Sequence, residues 1–496
     1  MKYLNPIISF IFALILLSSP VFSKKNVPDF QKVNLPFELH RFALKNGLKV
    51  WCQPRSDCKS VVLFFVIRTG SRYEVAANNG VSHFVEHMLF TGTRRWSENE
   101  IKNVITKRGG RYNGWTGEEA TTYYAEVSAR DLDIAMDWAT EIVFHSTFPK
   151  EKIDKERKVI FQERWGKYGW IINTLDALGF GYELEREIKC LIFPNSTLTL
   201  SIIGEDKSLE DINRDVLIKH YQQFYIPNNA VLIVVGNLNP KKVLEKSNIY
   251  FGDLHKSKPI ELPKTPILPD NGPHKAIVRG PLLTDQCRLM MGARTIGRKH
   301  PDQWALKVLS EMLNNSLTEE IRYKRGLVYG LNVCSYCFSD TGYFEIYTRS
   351  ESKDRILIQN IIEKQLEKII KGNIEKEKLA EAKTALKGRF ILSIEDNFTR
   401  ASWLQKWALV LTDDEVVPDY ESMIDRVTSK DLSRVVNKYF TSQYRFIGMH
   451  IPILTVKSGA VILGFFVLIL FIGILYIKWR KKKYKNRIRQ TSVINT

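Results

Sequence analysis

Cysteine is scarce in this chain, six residues among 496. That excludes a disulfide-built scaffold, in which bridges are packed far more densely into small exported domains. Cys52 and Cys58 flank an expected turn between two strand-like segments, a spacing compatible with one bridge across a hairpin. Cys334 and Cys337 stand in a strand-like stretch with no second pair to complete a metal site, so ordinary packing is their expected role. Long apolar runs are as rare. Only two stretches are apolar enough to enter a bilayer, which rules out a polytopic membrane protein. Acids are outnumbered, 54 against 73 lysines and arginines, for a net charge of +19. Eight of those charges fall between Lys478 and Arg489, where no acid occurs, leaving a mild excess of eleven elsewhere. No basic stripe interleaved with aromatics accompanies it, and no nucleic-acid partner is expected. What is left, 44% hydrophobic and 26% charged, is ordinary globular material with room for about two to four domains.

The two ends place the protein. Residues 1–23 carry Lys2, an apolar core over 7–17 and a close on Val21-Phe22-Ser23, the layout of an export signal cut after about Ser23. Eleven apolar residues are too few to span comfortably. Residues 458–477 are twenty in a row without a charge, the length of a membrane-crossing helix. Lys478, Arg480, Lys481, Lys482, Lys483 and Lys485 follow, the positive flank of a cytoplasmic side, and 478–496 form a basic tail. The expectation is a single-pass protein of the cytoplasmic (inner) membrane, with its bulk facing a periplasm or exterior. The tail's default role is topology, with contact to anionic lipid second. Asn195, Asn314 and Asn397 open glycosylation sequons, which matter only in a glycosylating eukaryote.

Between the ends lie two similar halves. Prolines at 259, 263, 266, 269 and 273 make 256–273 an extended linker, because proline removes a donor and disfavours helix before itself. The flanking units are 31–255 and 274–455. The first ends with Asp215, then Phe224 nine residues on, then a strand over 230–235. The second ends with Asp431, Phe440 nine residues on, and a strand over 444–449. A capped helix followed by a terminal strand recurs, so a duplicated domain is expected. In the first unit, strands are read over 41–44, 48–53, 60–68 and 121–127, with Asn46-Gly47 as a turn. Helices are read over 80–90, 98–108 (opened by Ser97), 129–144 and 150–168. Strands precede, separate and follow helices without strict alternation. That predicts an α+β fold, an antiparallel sheet with helices on one face in each of two homologous domains, plus one C-terminal transmembrane helix.

The chemistry sits at His83-Phe84-Val85-Glu86-His87. Positions i and i+4 share a helix face, so His83 and His87 can offer two imidazoles to one ion. Zinc takes such nitrogens, and a catalytic site adds a third protein ligand and keeps one position open. Glu86 can act as general base and then acid on water held there. The order H-x-x-E-H is that of inverted zinc proteases. A third ligand is expected on the helix over 150–168, which carries Glu151, Glu156 and Glu163. Glu156 and Glu163 are two turns apart and point the same way, so one can ligate while the other supports a histidine. Spacing alone does not choose between them.

These residues resemble the M16 metallopeptidases, the pitrilysin, insulysin and mitochondrial processing peptidase group, in which HxxEH is followed about 75 residues later by a glutamate with another seven before it. The resemblance implies zinc, one ion per chain, with Glu163 as third ligand and Glu156 supporting. Gly109-Gly110-Arg111-Tyr112-Asn113-Gly114-Trp115-Thr116 resembles the family's edge strand that receives substrate, with Asn113 matched and Gly114 standing where alanine is common. Ile233-Val234-Val235-Gly236 matches the end of its first domain. Arg322 and Tyr329, seven apart, resemble the family's R…GLxY segment, which binds substrate backbone and the tetrahedral intermediate. The likeness covers about 35–450.

What the resemblance implies is a membrane-anchored zinc endopeptidase acting on extended peptides or unfolded polypeptides. Family architecture is a clamshell of four homologous domains, of which this chain holds two. A dimer is therefore expected, homodimer or heterodimer with a related chain, with Arg322 and Tyr329 serving the partner's metal. Two rival readings are a non-catalytic scaffold subunit of a membrane complex and a tethered peptide-binding protein whose zinc is structural. The second needs a fourth protein ligand, and His145 and His220 are its unplaced candidates.

Overall fold

The computed structural model describes residues 37–166, 171, 174, 184–280 and 283–493. The expected signal segment 1–23 lies outside the described residues, and the helix expected to reach 168 ends at Trp165, capped by Gly166 with a φ of 66°. Strands β1 (His40–Ala43), β2 (Lys49–Pro54), β3 (Ser60–Ile67), β4 (Arg111–Thr116), β5 (Thr121–Ser128) and β6 (Ala230–Gly236) form one sheet, ordered β1-β2-β6-β3-β5-β4. Strands β7 (His274–Arg279), β8 (Gln286–Ile296), β9 (Val328–Cys337), β10 (Thr341–Glu351) and β11 (Arg445–Ile451) form the other, ordered β7-β11-β8-β10-β9. Without β1 the two orders are the same. In each, the last strand of the half enters beside the first, parallel to it, and antiparallel to the next. Each sheet is therefore mixed, antiparallel but for one parallel pair.

That insertion disposes of the cross-hairpin bridge. β6 lies between β2 and β3, so Cys52 and Cys58 do not face each other across a ladder, and all six cysteines are free. Burial pushes the Cys52 thiol up to about 12, which makes it an inert packing group. Asn397, the third sequon, is buried, its side chain accepting from Arg55 at 3.0 Å.

The helices are α1 (Val81–Met88), α2 (Glu98–Thr106), α3 (Leu132–Phe144), α4 (Lys150–Trp165), α5 (Leu184–Ile192), α6 (Asp206–Asp211), α7 (Arg214–Phe224), α8 (Pro240–Phe251), α9 (Asp302–Leu317), α10 (Arg355–Ile370), α11 (Lys376–Ser393), α12 (Asn397–Ala408), α13 (Tyr420–Arg426), α14 (Ser429–Tyr439) and α15 (Val456–Val493). The repeated helices α7 and α14 are both capped from outside, α7 by the Asn213 side chain and α14 by a Thr428–Asp431 capping box.

Both faces of the first sheet are buried, and the alternation of its side chains sorts them. Val61, Leu63, Phe65, Leu232 and Val234 point to a core built with α1, α3 and α7. Val62, Phe64, Val66, Ile233 and Val235 point into a core shared with the second half. There α12 lies against β3 and β6, and Phe398 meets Phe64, Trp115 and Tyr124 at centroid distances of 5.0, 5.9 and 4.9 Å. The exchange is reciprocal: α5 of the first half packs on β7 and β11 of the second. A Cβ added to Gly448 on β11 would stand 2.7 Å from Ile188, so glycine lets α5 approach this closely. Charge closes the seam. The fully buried Arg72 pairs with Glu119 and Asp340, and Ser339 donates its backbone N–H to both Glu119 oxygens at 3.0 Å. The linker has no regular structure but is tied down, with Pro263 and Pro266 carbonyls accepting from Arg72 and Arg294 at 2.8 and 2.6 Å.

Candidate metal centre

Helix α1 starts where it does because Gly80 takes a left-handed φ of 93° and a buried carboxylate caps the turn. Glu74 accepts from the backbone N–H of Gly80 and of Ser82 and from the Asn79 amide, each at 2.8 Å. Val81, Phe84, Val85 and Met88 bury one face, which turns His83 and His87 toward a cavity of about 470 Å³. Helix α4 lies alongside, held by Ile153 and Ile160 and by the Arg157 guanidinium 5.3 Å from the Phe84 ring.

The two helices bring three donors together. Glu163 Oε2 is 3.5 Å from His83 Nε2 and 3.4 Å from His87 Nε2. All three donor atoms lie within 4.8 Å of one another. Two donors bonded to zinc at roughly 2.1 Å with tetrahedral angles are about 3.4 Å apart, so the set fits that ion. Glu156 takes the other side of the same ring, its Oε2 lying 3.3 Å from His87 Nδ1. Among the described residues this is the only group of histidine, cysteine and acid so arranged.

Electrostatics treat the two imidazoles differently. Burial, and then the neighbouring His87, push the His83 imidazole down to about 3, so its ring is neutral with a lone pair to give. For His87 burial works against the charged form, but the hydrogen bond to Glu156 and the charges of Glu163 and Glu86 outweigh it and raise the pKa. Burial raises Glu86, against the Thr116 hydroxyl, which donates to its Oε2 at 2.7 Å.

The same cavity is walled by Asn113, Gly114, Trp115 and Thr116 of β4. Among the described residues β4 pairs only with β5 and leaves its other edge free, and Asn113 is exposed there. A Cβ on Gly114 would lie 3.1 Å from Glu86 Oε1, so glycine here gives the carboxylate room. Arg322 and Tyr329 are elsewhere. Arg322 is exposed on a π-helical turn, Thr318–Tyr323, and Tyr329 is 83% exposed at the start of β9. Neither lines the cavity. His145 pairs with Glu141 at 3.0 Å and His220 is buried against Thr69 and Ser82, so neither joins the three donors. Sequence reasoning missed Thr116 and Glu74. Thr116 ends a segment already singled out, but nothing in its local pattern marks it as a partner of Glu86, 30 residues earlier in the chain.

Comparison with known proteins follows the same lines. A family model described as Insulinase (Peptidase family M16) matches residues 51–166, and one described as Peptidase M16 inactive domain matches 211–386. A Bacillus subtilis protein named Uncharacterized zinc protease YmxG is 26% identical over 411 residues, covering 82% of this chain and 97% of that one. The mouse Mitochondrial-processing peptidase subunit beta is 26% identical over 421 residues, covering 82% and 83%. A protease from Helicobacter pylori superposes with a TM-score of 0.72 at 22% identity, covering 84% of this chain and all of that one.

Proposed function

The chain belongs to the M16 peptidase family, and on that premise we propose that it is a zinc-dependent endopeptidase of extended or unfolded polypeptides, anchored in a membrane by α15. The observation that carries the reading is one carboxylate oxygen, Glu163 Oε2, within 3.5 Å of two imidazole nitrogens from a different helix. His83, His87 and Glu163 hold the ion, and Glu156 orients His87 through the ring's second nitrogen. An ion held there would supply Lewis acidity to the scissile carbonyl and to a water molecule. Glu86 takes the proton of the attacking water and returns it to the leaving amine. A raised carboxylate in a buried pocket suits both halves of that transfer. Substrate adds as a strand to the free edge of β4, where main-chain hydrogen bonds give affinity with little side-chain selection.

Arg322 and Tyr329 are assigned to the oxyanion of a second active site, in a partner that is either another copy or a related chain. Their exposure, and their absence from the lining of this cavity, fit that assignment. The mouse relative is by its name one subunit of a peptidase. Export facing a periplasm or exterior, with a cytoplasmic tail, completes the reading. It rests on α15, whose stretch Val456–Lys483 is long and apolar enough to cross a bilayer and is unburied.

The test is metal content beside cleavage of an unfolded peptide. Glu86→Gln is expected to keep zinc and lose at least about a hundredfold in kcat, within the range of a lost general base. Glu163→Gln is expected to lose zinc and activity together. Wild-type activity in Glu86→Gln overturns the base assignment, and full zinc in Glu163→Gln overturns the ligand set.

A further inference from the structure

The junction between the second sheet and α15 contains no free joint. β11 ends at Ile451 and α15 begins at Val456, so four residues connect them, a reach of roughly 13 Å at most. The end of β11 and Leu454 of the connection are held. Gly280 donates its N–H to the Ile451 carbonyl at 3.0 Å, Thr284 to the Leu454 carbonyl at 3.1 Å, and Leu283 and Leu454 form a parallel bridge. The first turn of α15 is capped twice. Asp285 Oδ1 accepts from Val456 N–H at 3.0 Å, and Thr455 Oγ1 accepts from Ser458 N–H at 3.1 Å. Gly459 lies against Leu283 so closely that a Cβ there would be 2.6 Å from its Cδ1. Asp285 is also bound from the other side, its carbonyl accepting from Ser352 N–H at 2.7 Å.

This root is one end of the second sheet, and it is dressed for a lipid surface. Ile277 and Leu283 are 61% and 54% exposed, Arg279 and Lys457 are exposed at the end of β7 and in the first turn of α15, and Lys353 pairs with Glu351 at 2.6 Å. Apolar side chains among cations suit the headgroup layer through which α15 must pass. Arg288 and Tyr347, near the same ends of β8 and β10, line a second cavity of about 580 Å³ with Leu184 and Lys189 of α5. That cavity shares Ile202 and Ile203 with the metal cavity.

We propose that the protein is a membrane ruler: the rigid root holds the cleavage site at a fixed height, so its substrates are polypeptides tethered to the same bilayer and cut at a set distance from it. The proposal rests on the anchored-peptidase reading above and goes beyond it in naming the substrate class and what selects the bond. A flexible stalk would give no such selection, because the site would sample many heights.

Two measurements on the full chain in nanodiscs test it. The first needs no catalysis. Energy transfer from a fluorophore encoded at the exposed position 130 to headgroup acceptors is expected to give one narrow distance. Inserting about fifteen Gly/Ser residues, with an r.m.s. span of ~20 Å, between Thr455 and Val456 is expected to lengthen and broaden it. Identical distributions for the two proteins overturn the rigid root. The second compares lipid-anchored peptides whose cleavable segment stands about 5 to about 30 residues from the anchor. The native protein is expected to favour one spacing by about tenfold, and the spacer variant to move the optimum outward while cutting a soluble peptide as fast as before. Equal cleavage at every spacing, with the soluble peptide still cut, overturns the ruler and leaves the peptidase. No cleavage of any peptide overturns the peptidase, and with it the ruler.

Discussion

Glu156 and Glu163 differ by two helical turns on one face of α4, and at the residue scale everything turns on how that face meets α1. Periodicity makes the two glutamates equivalent; the tilt of one helix on the other does not. Glu163 reaches both Nε2 atoms, whereas Glu156 reaches only His87 Nδ1. Glu156→Gln is therefore expected to weaken zinc about 10- to 100-fold without abolishing binding, as metal titration of purified protein will read. Equal loss in Glu156→Gln and Glu163→Gln would contradict the division of roles. The histidine pair and Glu86 were legible from spacing alone, because i and i+4 define one helix face whatever surrounds it. Glu74, whose carboxylate starts that helix, was not legible. Its partners Asn79, Gly80 and Ser82 are nearby in sequence, but a glutamate seven residues ahead of a helix ordinarily faces solvent.

At the scale of elements, the strands over 60–68 and 121–127 and the helix opened by Ser97 were readable because the strands carry their own pattern and the helix its own cap. The position of β6 was not. It pairs with β2 in parallel across nearly the whole first half, Lys49 opposite Val231, and no local pattern encodes a partner that distant. The expected hairpin of Cys52 and Cys58 failed for the same reason. Nor did any pattern show that α12 would serve the other half's sheet. Phe398 stands edge-on to Phe64 and Tyr124 behind Trp115 of β4, so it supports the edge on which substrate is proposed to add. Phe398→Ala is expected to cost about 2–4 kcal/mol, somewhat below the range for a fully buried phenylalanine. A drop in the urea midpoint with unchanged zinc content will show it.

On the scale of the whole molecule, stability is expected to depend on pH through a group outside the metal cavity. Glu345 on β10 is 8% exposed, and burial, then Glu185, push it up to about 7 against the pull of Lys189. Its folded pKa lies above its unfolded value, so its contribution is full below about pH 4.5 and is lost as pH rises through about 7. Glu345→Gln should remove that fall, leaving the variant more stable than wild type at about pH 8, by on the order of 1–2 kcal/mol, and alike near pH 4. Urea denaturation at the two pH values decides it. The traded helices carry a last consequence. With α5 seated under one sheet and α12 under the other, each half keeps a piece of its neighbour's interior. A peptide bond severed in the exposed stretch near Lys258 should leave a single particle on a sizing column, the fragments parting only in denaturant.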